Sequence, residues 1–410
     1  MNFTACRITL RWIPLAIMGL SLGACISNPI VSDRMEETPV QQAGASIPDN
    51  QILDLWVETF DPGKLPEDEG KARGLSEDIR AAEARFMAVH LAKTIERSGY
   101  WGAVRVVPRG TEGAEVVVRG TVLRSDAEQL ELEIEAFDAR GERWLRESYE
   151  HQVEPKDYRN LAKGSQDAFQ PLYNAIANDL IKERAELDAK EITRIRQIAE
   201  LRFAADMAPE PFARYIKKDR DGIYSAVRLP AQGDPMVQRV RAVRDRDYLL
   251  IDTLNSHYDH YYNEMWTPYD GWRTTRAEEA QALREVEEAA TTRKVLGGLA
   301  ILGGILLTAS TNSGDSIGTR SVKSSVGQLM VLGGAAGVVS GFSKDGETTI
   351  HEEALEELGD SFTQEVKPLV VEVDGETHKL TGSAESQYAQ WRALLRKAHA
   401  VETGLPSRLD

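Results

Sequence analysis

Cysteine is almost missing from this chain of 410 residues: the two it has are Cys6 and Cys25. Both stand at the N-terminus, so nothing downstream can form a disulfide, offer a thiolate to a metal or act as a cysteine nucleophile. Basic residues are in deficit too. Lysine and arginine number 49 against 65 acidic residues, a formal net charge of −16. That balance argues against nucleic acid as a partner, because phosphate binding needs a cationic face. No serine sits in a G-x-S-x-G elbow. The stretch "GTEGAEVVVRG" and the paired glycines lack the strand–loop–helix context and the lysine of a phosphate-binding loop. Apolar runs are short as well: "VLGGLAILGGILLTA", residues 295–309, falls below the ~20 residues of a standard membrane span. What the chain does have is an ordinary apolar fraction of 42% and length enough for two or three domains.

The N-terminus accounts for both cysteines. Arg7 and Arg11 form a basic region, "WIPLAIMGLSLG" a short apolar region, and Leu22-Gly23-Ala24-Cys25 closes it with small residues. That is the shape of a secretory signal rather than a spanning helix. Leu-x-Ala-Cys resembles a bacterial lipobox. The resemblance implies cleavage after Ala24 and lipidation of Cys25, with two or more acyl chains giving a stable anchor. An ordinary secretory signal with an incidental cysteine is the alternative. Residue 26 is Ile and not Asp, which by the sorting habit of such lipoproteins implies delivery to the outer membrane. Loss of residues 1–24 removes two arginines and no acids, so the mature chain is more acidic still. "ISNPIVSDRMEETPVQQAGASIPDN" has no periodicity and reads as a flexible tether over 25–50.

Residues 51–190 read as an α/β domain. "QILDLWVETF" is a strand, and "SEDIRAAEARFMAVHLAKTIERSG" is a helix capped by Ser76 and stopped by Gly99. Four strands follow: "AVRVVP", "AEVVVRGTVLR", "QLELEIEAFDA" and "RWLRESYEHQV", with "DARG" as a hairpin turn. "DAFQPLYNAIANDLIKERAEL" reads as a second helix continuing into "DAKEITRIRQIAELRFAADM". The order of strand, long helix, "SGYWGAVRVVP", "VVVRGTV" and the "LEIEAFDARGERW" hairpin resembles the α/β domain of periplasmic envelope lipoproteins. The relatives in view are the curli secretion channel protein, the penicillin-binding-protein activators and the N-terminal domain of TolB. The resemblance covers about a third of the chain and has no diagnostic motif. It implies a docking and assembly module.

Residues 191–294 read as a largely helical region, with "VQRVRAVRDRDYLLIDTLNSHYDHYYNEMW" one helix ended by "TPYDGW" and "TTRAEEAQALREVEEAATTRK" another. The apolar run then extends that helix. In it Gly297 and Gly304 share a face, with Gly298 and Gly303 beside them. In "VGQLMVLGGAAGVVSGF", residues 326–342, Gly333, Gly337 and Gly341 fall four apart and stack on one helical face. Glycine in a helix costs about 1 kcal/mol relative to alanine. Close approach of helices in lipid is the usual return. The segments resemble the glycine zippers of outer-membrane lipoproteins, so 295–342 is expected to be a helical hairpin that enters or crosses a thin membrane. A hairpin buried in a soluble core and an aggregation-prone strand pair stay open as alternatives.

Residues 343–410 read as a small α+β cap: a helix "TTIHEEALEELGDSFTQEVKP", a hairpin turning at Asp374-Gly375, and a helix capped by Ser383 with Tyr388, Trp391 and Leu395 as its apolar stripe. His257, His260 and Glu264 share a helical face that could seat a metal, but the spacing is generic and no metal is assigned. "DRDGIY" resembles a calcium loop without its later ligands. Glu133 and Glu135 fall on the outer face of a strand. The fold class expected is α+β. The function expected is a non-enzymatic outer-membrane lipoprotein facing the periplasm, an assembly, docking or stabilising factor without cofactor. Its partners would be membrane lipid through Cys25 and an envelope protein or further copies of itself. A channel or secretion-complex component is the alternative, and a cell-wall hydrolase using unrecognised carboxylates is a third.

Overall fold

The computed structural model describes residues 39–66, 75–160, 166–309, 353–355, 357, 368–373 and 375–404, with backbone alone for residues 160, 283 and 286–309. The class is α+β. A five-stranded mixed sheet runs in the order β2-β1-β3-β4-β5, with β1 Leu55–Glu58, β2 Val104–Val107, β3 Val116–Ser125, β4 Gln129–Asp138 and β5 Arg143–Gln152. β1 is parallel to both neighbours, and β3, β4 and β5 form an antiparallel meander. Helix α1, Glu77–Arg97, carries the chain from β1 to β2. It starts where the Ser76 side chain accepts from the Ile79 amide at 3.1 Å, and Gly99 follows its end at φ +71. The connection from β2 to β3 crosses β1 in eight residues. That suffices because β2 and β1 are only four residues long, where longer parallel strands need a dozen or more.

Alternation sorts the sheet into two faces. Val116, Val118 and Val122 of β3 line up with Ala136, Ile134, Leu132 and Leu130 of β4 on a wholly buried face. Helices α1 and α2, the latter Gln170–Ala185, pack on the sheet. Gly120 lies in the middle of this face because Phe60 lies across it: a Cβ there would stand 2.6 Å from two ring carbons. Phe60 is buried and has little freedom to yield. Gly120→Ala is therefore expected to destabilise the fold by about 1–3 kcal/mol in urea titrations, and Phe60→Leu in the same background to recover part of the loss.

Helix α3, Ala189–Met207, is separate from α2. The expected continuous helix is broken at 186–188, where Asp188 accepts from the Lys190 and Glu191 amides and Glu191 returns a bond to the Asp188 amide, a capping box. The "IKKDRDGIY" segment forms a hairpin, β6 Ile216–Lys218 and β7 Tyr224–Ala226. Its Asp219 carboxylate accepts the Asp221 and Ile223 amides at 2.9 Å each, which makes it a turn former.

The second departure is larger. Helix α4 runs unbroken from Pro235 to Ala309, through the "TPYDGW" expected to end it. Pro268 removes one backbone donor, a loss of ~3 kcal/mol or more in a helix interior. The residues around it oppose that loss: Met265, Tyr269 and Trp272 are all buried. Val240, Val243, Ile251, Leu254, Tyr258, Tyr261 and Tyr262 extend the stripe at three- and four-residue steps. This stripe joins the same core as the sheet. β8 Leu369–Val373, β9 Glu376–Leu380 and α5 Ala384–Thr403 form the C-terminal unit, with Ser383 capping α5 and Tyr388, Trp391 and Leu395 buried as expected.

The segment read as a tether is held down over its last third. The Ala43 amide donates to Ser98 O at 2.9 Å, the Gln41 amide to Asn178 Oδ1 at 2.8 Å, and Arg196 donates to Asp49 O at 2.8 Å. Over residues 39–50 the lack of periodicity reflects an irregular strap rather than free chain. At the β2 margin, α4 supplies a substitute for a sixth strand: Asn255 accepts the Val106 amide at 2.7 Å and donates to Val106 O at 3.1 Å.

Candidate functional site

The strongly perturbed ionisable groups lie between the helices. His90 of α1 touches α4 through Tyr262 OH at 2.7 Å and α2 through Gln170 Oε1 at 2.9 Å. The Gln170 amide nitrogen is taken up by Thr94 Oγ1 at 3.2 Å and Asn174 Oδ1 at 2.9 Å, so its oxygen faces the imidazole. His90 therefore carries its proton on Nε2 and accepts the Tyr262 hydroxyl on Nδ1. Burial pulls its pKa down to about 4.

Beside it Arg273 of α4 reaches Asp167 at 2.8 Å, both almost wholly inaccessible. Burial pushes the Asp167 carboxyl up, but Arg273, His90 and the Phe169 amide together outweigh it and leave the group below its ordinary value. Glu83 completes the cluster: it accepts from Ser125 Oγ at 2.6 Å and Tyr269 OH at 2.8 Å and pairs with Arg80 at 3.3 Å, yet burial still raises its pKa. A second buried cluster ties α5 to α4, where Arg392 bonds Asp247 at 2.8 Å and also reaches Asp206, and Tyr388 OH bonds Asp247 at 3.2 Å. Burial raises Asp247 against the pull of Arg392. These groups have their charge satisfied by partners inside the protein and offer solvent no reactive atom; they join helices.

The solvent-facing chemistry is on the other face of the sheet. Near β1 this face is covered: Trp56 is buried under Tyr248, at 6.2 Å between rings, and Gly113 and Phe203 adjoin it. Across β4 and β5 it is open. Glu131, Glu133 and Glu135 make a row along β4. Arg146 pairs with Glu133 at 3.2 Å and Glu135 at 3.7 Å, and Arg143 lies 3.9 Å from Glu135. Exposed pairs of this kind add little stability, and what they create is a platform of alternating charge. Glu133 and Glu135 thus sit where the strand period puts them, in ion pairs. Leu123, at an irregularity in β3, is 45% exposed beside this face.

A cleft of about 200 Å³ opens where the platform meets the β6–β7 hairpin, lined by Arg119, Phe137, Arg202, Lys218 and Tyr224 among others. The Tyr224 amide donates to Arg140 O at 2.7 Å, which fixes the hairpin to the β4–β5 turn.

No protein-family model, curated protein or solved structure matches the chain.

Of the residues singled out in the sequence, Ala24, Cys25, Gly333, Gly337 and Gly341 lie outside the described residues, as does Asp374 of the C-terminal turn. Gly297, Gly298, Gly303 and Gly304 fall within the α4 backbone. Among the described residues no helix is long and apolar enough to cross a membrane, and no group of three or more His, Cys, Asp or Glu could hold a metal ion. His260 pairs with Glu264 at 3.1 Å, and Asp259 with Lys93 at 2.7 Å. Sequence reasoning passed over the cleft residues and the buried clusters. A basic residue in each of "VVVRG", "AELRF" and "IKKDR" was the signal available for the cleft, and only the fold brings them together.

Proposed function

We propose that this chain is a non-enzymatic lipoprotein of the outer membrane, anchored through acyl chains on Cys25, whose sheet platform docks another component of the cell envelope. The observation that carries the docking role is the contrast between the two faces of the sheet. One is sealed by helices, with its ionisable groups consumed in pairing. The other shows solvent the Glu131–Glu133–Glu135 row and its arginine neighbours. Charge-patterned surfaces of this kind set partner choice and encounter rate more than affinity. The lipobox resemblance supplies the address, and the four-residue glycine spacing in the sequence of 295–342 would suit close helix packing, with a partner or between copies.

Two measurements test the proposal. The wild-type chain is expected to take up a palmitate analogue and fractionate with outer membranes, and Cys25→Ser to lose the label. Label retained by Cys25→Ser sinks the anchor. A Glu133→Lys, Glu135→Lys double variant is expected to keep its fold by circular dichroism while losing envelope function. Unchanged function in that variant sinks the docking face.

A further inference from the structure

The cleft beside the hairpin carries a charge opposite to that of the chain as a whole. Three cations from separate elements reach it. Arg119 of β3 lies 5.5 Å from the Phe137 ring and uses Nε on Glu58 at 3.2 Å, so both its terminal nitrogens stay available. Arg202 of α3 lies 4.3 Å from the Tyr224 ring and donates to Ala139 O at 2.9 Å. Lys218 of β6 stands 5.0 Å from the same ring, exposed, and among the described residues makes no ion pair.

Two carboxylates line the cleft with them. Asp138 is already saturated: Arg140 holds it through Nε at 2.9 Å, Nη2 at 2.7 Å and its backbone amide at 2.7 Å, and Trp144 donates at 3.1 Å. Glu112 is largely exposed and stands 3.7 Å from Arg202, too far for a hydrogen bond. Arg119 is thus ion-paired with Glu58 through Nε and Arg202 lies within ion-pair distance of Glu112, but the terminal nitrogens of Arg119 and the Lys218 ammonium keep donors for a ligand. The walls are also fixed in advance. Besides the Tyr224–Arg140 bond, Gly141 sits so close to the hairpin that a Cβ there would come 3.0 Å from Gly222 O. A preformed site loses less on binding than one that must order itself.

We propose that this cleft binds a small tetrahedral oxyanion, a phosphate group. Guanidinium forks match phosphate oxygens in geometry, and aromatic faces that stack on them leave the N–H edges pointing at the ligand. The volume of about 200 Å³ falls below the ~300–1,000 Å³ of sites for drug-sized ligands, so the ligand is a group of a few heavy atoms. Free phosphate and the phosphate of a lipid headgroup share that chemistry. The proposal stands apart from the docking role and does not need the anchor.

Titration calorimetry of the full chain in detergent, with inorganic phosphate added at constant ionic strength against a chloride control, tests it. Saturable binding is expected for wild type, with at least a tenfold loss of affinity in Lys218→Glu and in Arg202→Gln. The Lys218 side chain is exposed, so that variant is expected to fold, as circular dichroism would verify. Binding no stronger than the chloride control, or unchanged in Lys218→Glu, overturns the site. In a competition arm, phosphatidylglycerol added to the detergent micelles that displaces phosphate identifies the headgroup as its source, and phosphatidylglycerol that does not displace it identifies the free ion; both outcomes uphold the site.

Discussion

Arg273→Met is expected to destabilise the protein by about 3–5 kcal/mol, the size of loss that follows when one member of a buried ion pair is removed. Asp167 is completely inaccessible, and Arg273 is the largest of the contributions that favour its charged form there. With methionine in place of the guanidinium, Asp167 must either stay charged without compensation or take up a proton. The Arg273 guanidinium also lies 4.2 Å from the Tyr269 ring and 5.8 Å from that of Phe169, so its packing is lost as well. Urea unfolding followed by circular dichroism reads the effect directly. Asp167→Asn in the same background is expected to restore part of the stability, because it removes the orphaned charge. If the double variant is as unstable as the single one, the loss lies in packing and the charge argument fails.

The second large effect is on acid stability. Burial holds His90 at about 4 in the folded protein, against an ordinary value of 6.5. Between those two values the unfolded chain binds a proton that the folded chain refuses. Stability from this residue is therefore complete above about pH 6.5 and declines as pH falls toward 4, by on the order of 3 kcal/mol over the whole interval. Asp167 and the Gln170 bond favour the protonated form, Arg273 and Arg97 oppose it, and burial outweighs them.

Asp167, held below its ordinary value, removes further stability at still lower pH. Glu83 and Asp247 have the opposite sign: their raised values mean that the folded state takes up protons first, which favours the fold as acid is added. Urea midpoints taken between pH 7.5 and 4.5 are expected to fall for wild type and to fall less for His90→Gln, which keeps a polar group in the same place without the titration. Parallel curves for the two proteins would remove His90 as the cause.

The sheet was legible in the sequence and its surroundings were legible only in part. "LELEIEAF" alternates, and Leu130, Leu132, Ile134 and Ala136 do share the buried face. Ser76 and Ser383 cap the helices their positions foretold. These are local signals, with period and cap decided within a few residues. The break between α2 and α3 was also local, since Asp188 and Glu191 have the spacing of a capping box, but the apolar rhythm on both sides concealed it.

Pro268 and Gly271 failed as stop signals for a non-local reason. Tyr269 gains a partner on α1 and Arg273 one in the segment before α2, Trp272 is fully buried, and that burial outweighs what the backbone loses. The cleft was beyond reach altogether, because Arg119, Arg202 and Lys218 become neighbours only after three elements have packed. The strap over residues 39–50 shows the converse: polar, Pro-dotted chain can still be tied down when α1, α2 and α3 offer Ser98 O, Asn178 and Arg196 to it.

Asn255 gives the sheet a direction of growth. Its amide occupies both outward-facing groups of Val106, so a strand arriving at the β2 margin finds those two hydrogen-bonding positions taken. Among the described residues no side chain plugs the β5 margin in this way, and β5 is the outermost strand there. Self-association by strand pairing can then proceed from one side only. Two copies joined at β5 would present at each end a margin where Asn255 already holds Val106, which disfavours further strand pairing of that kind.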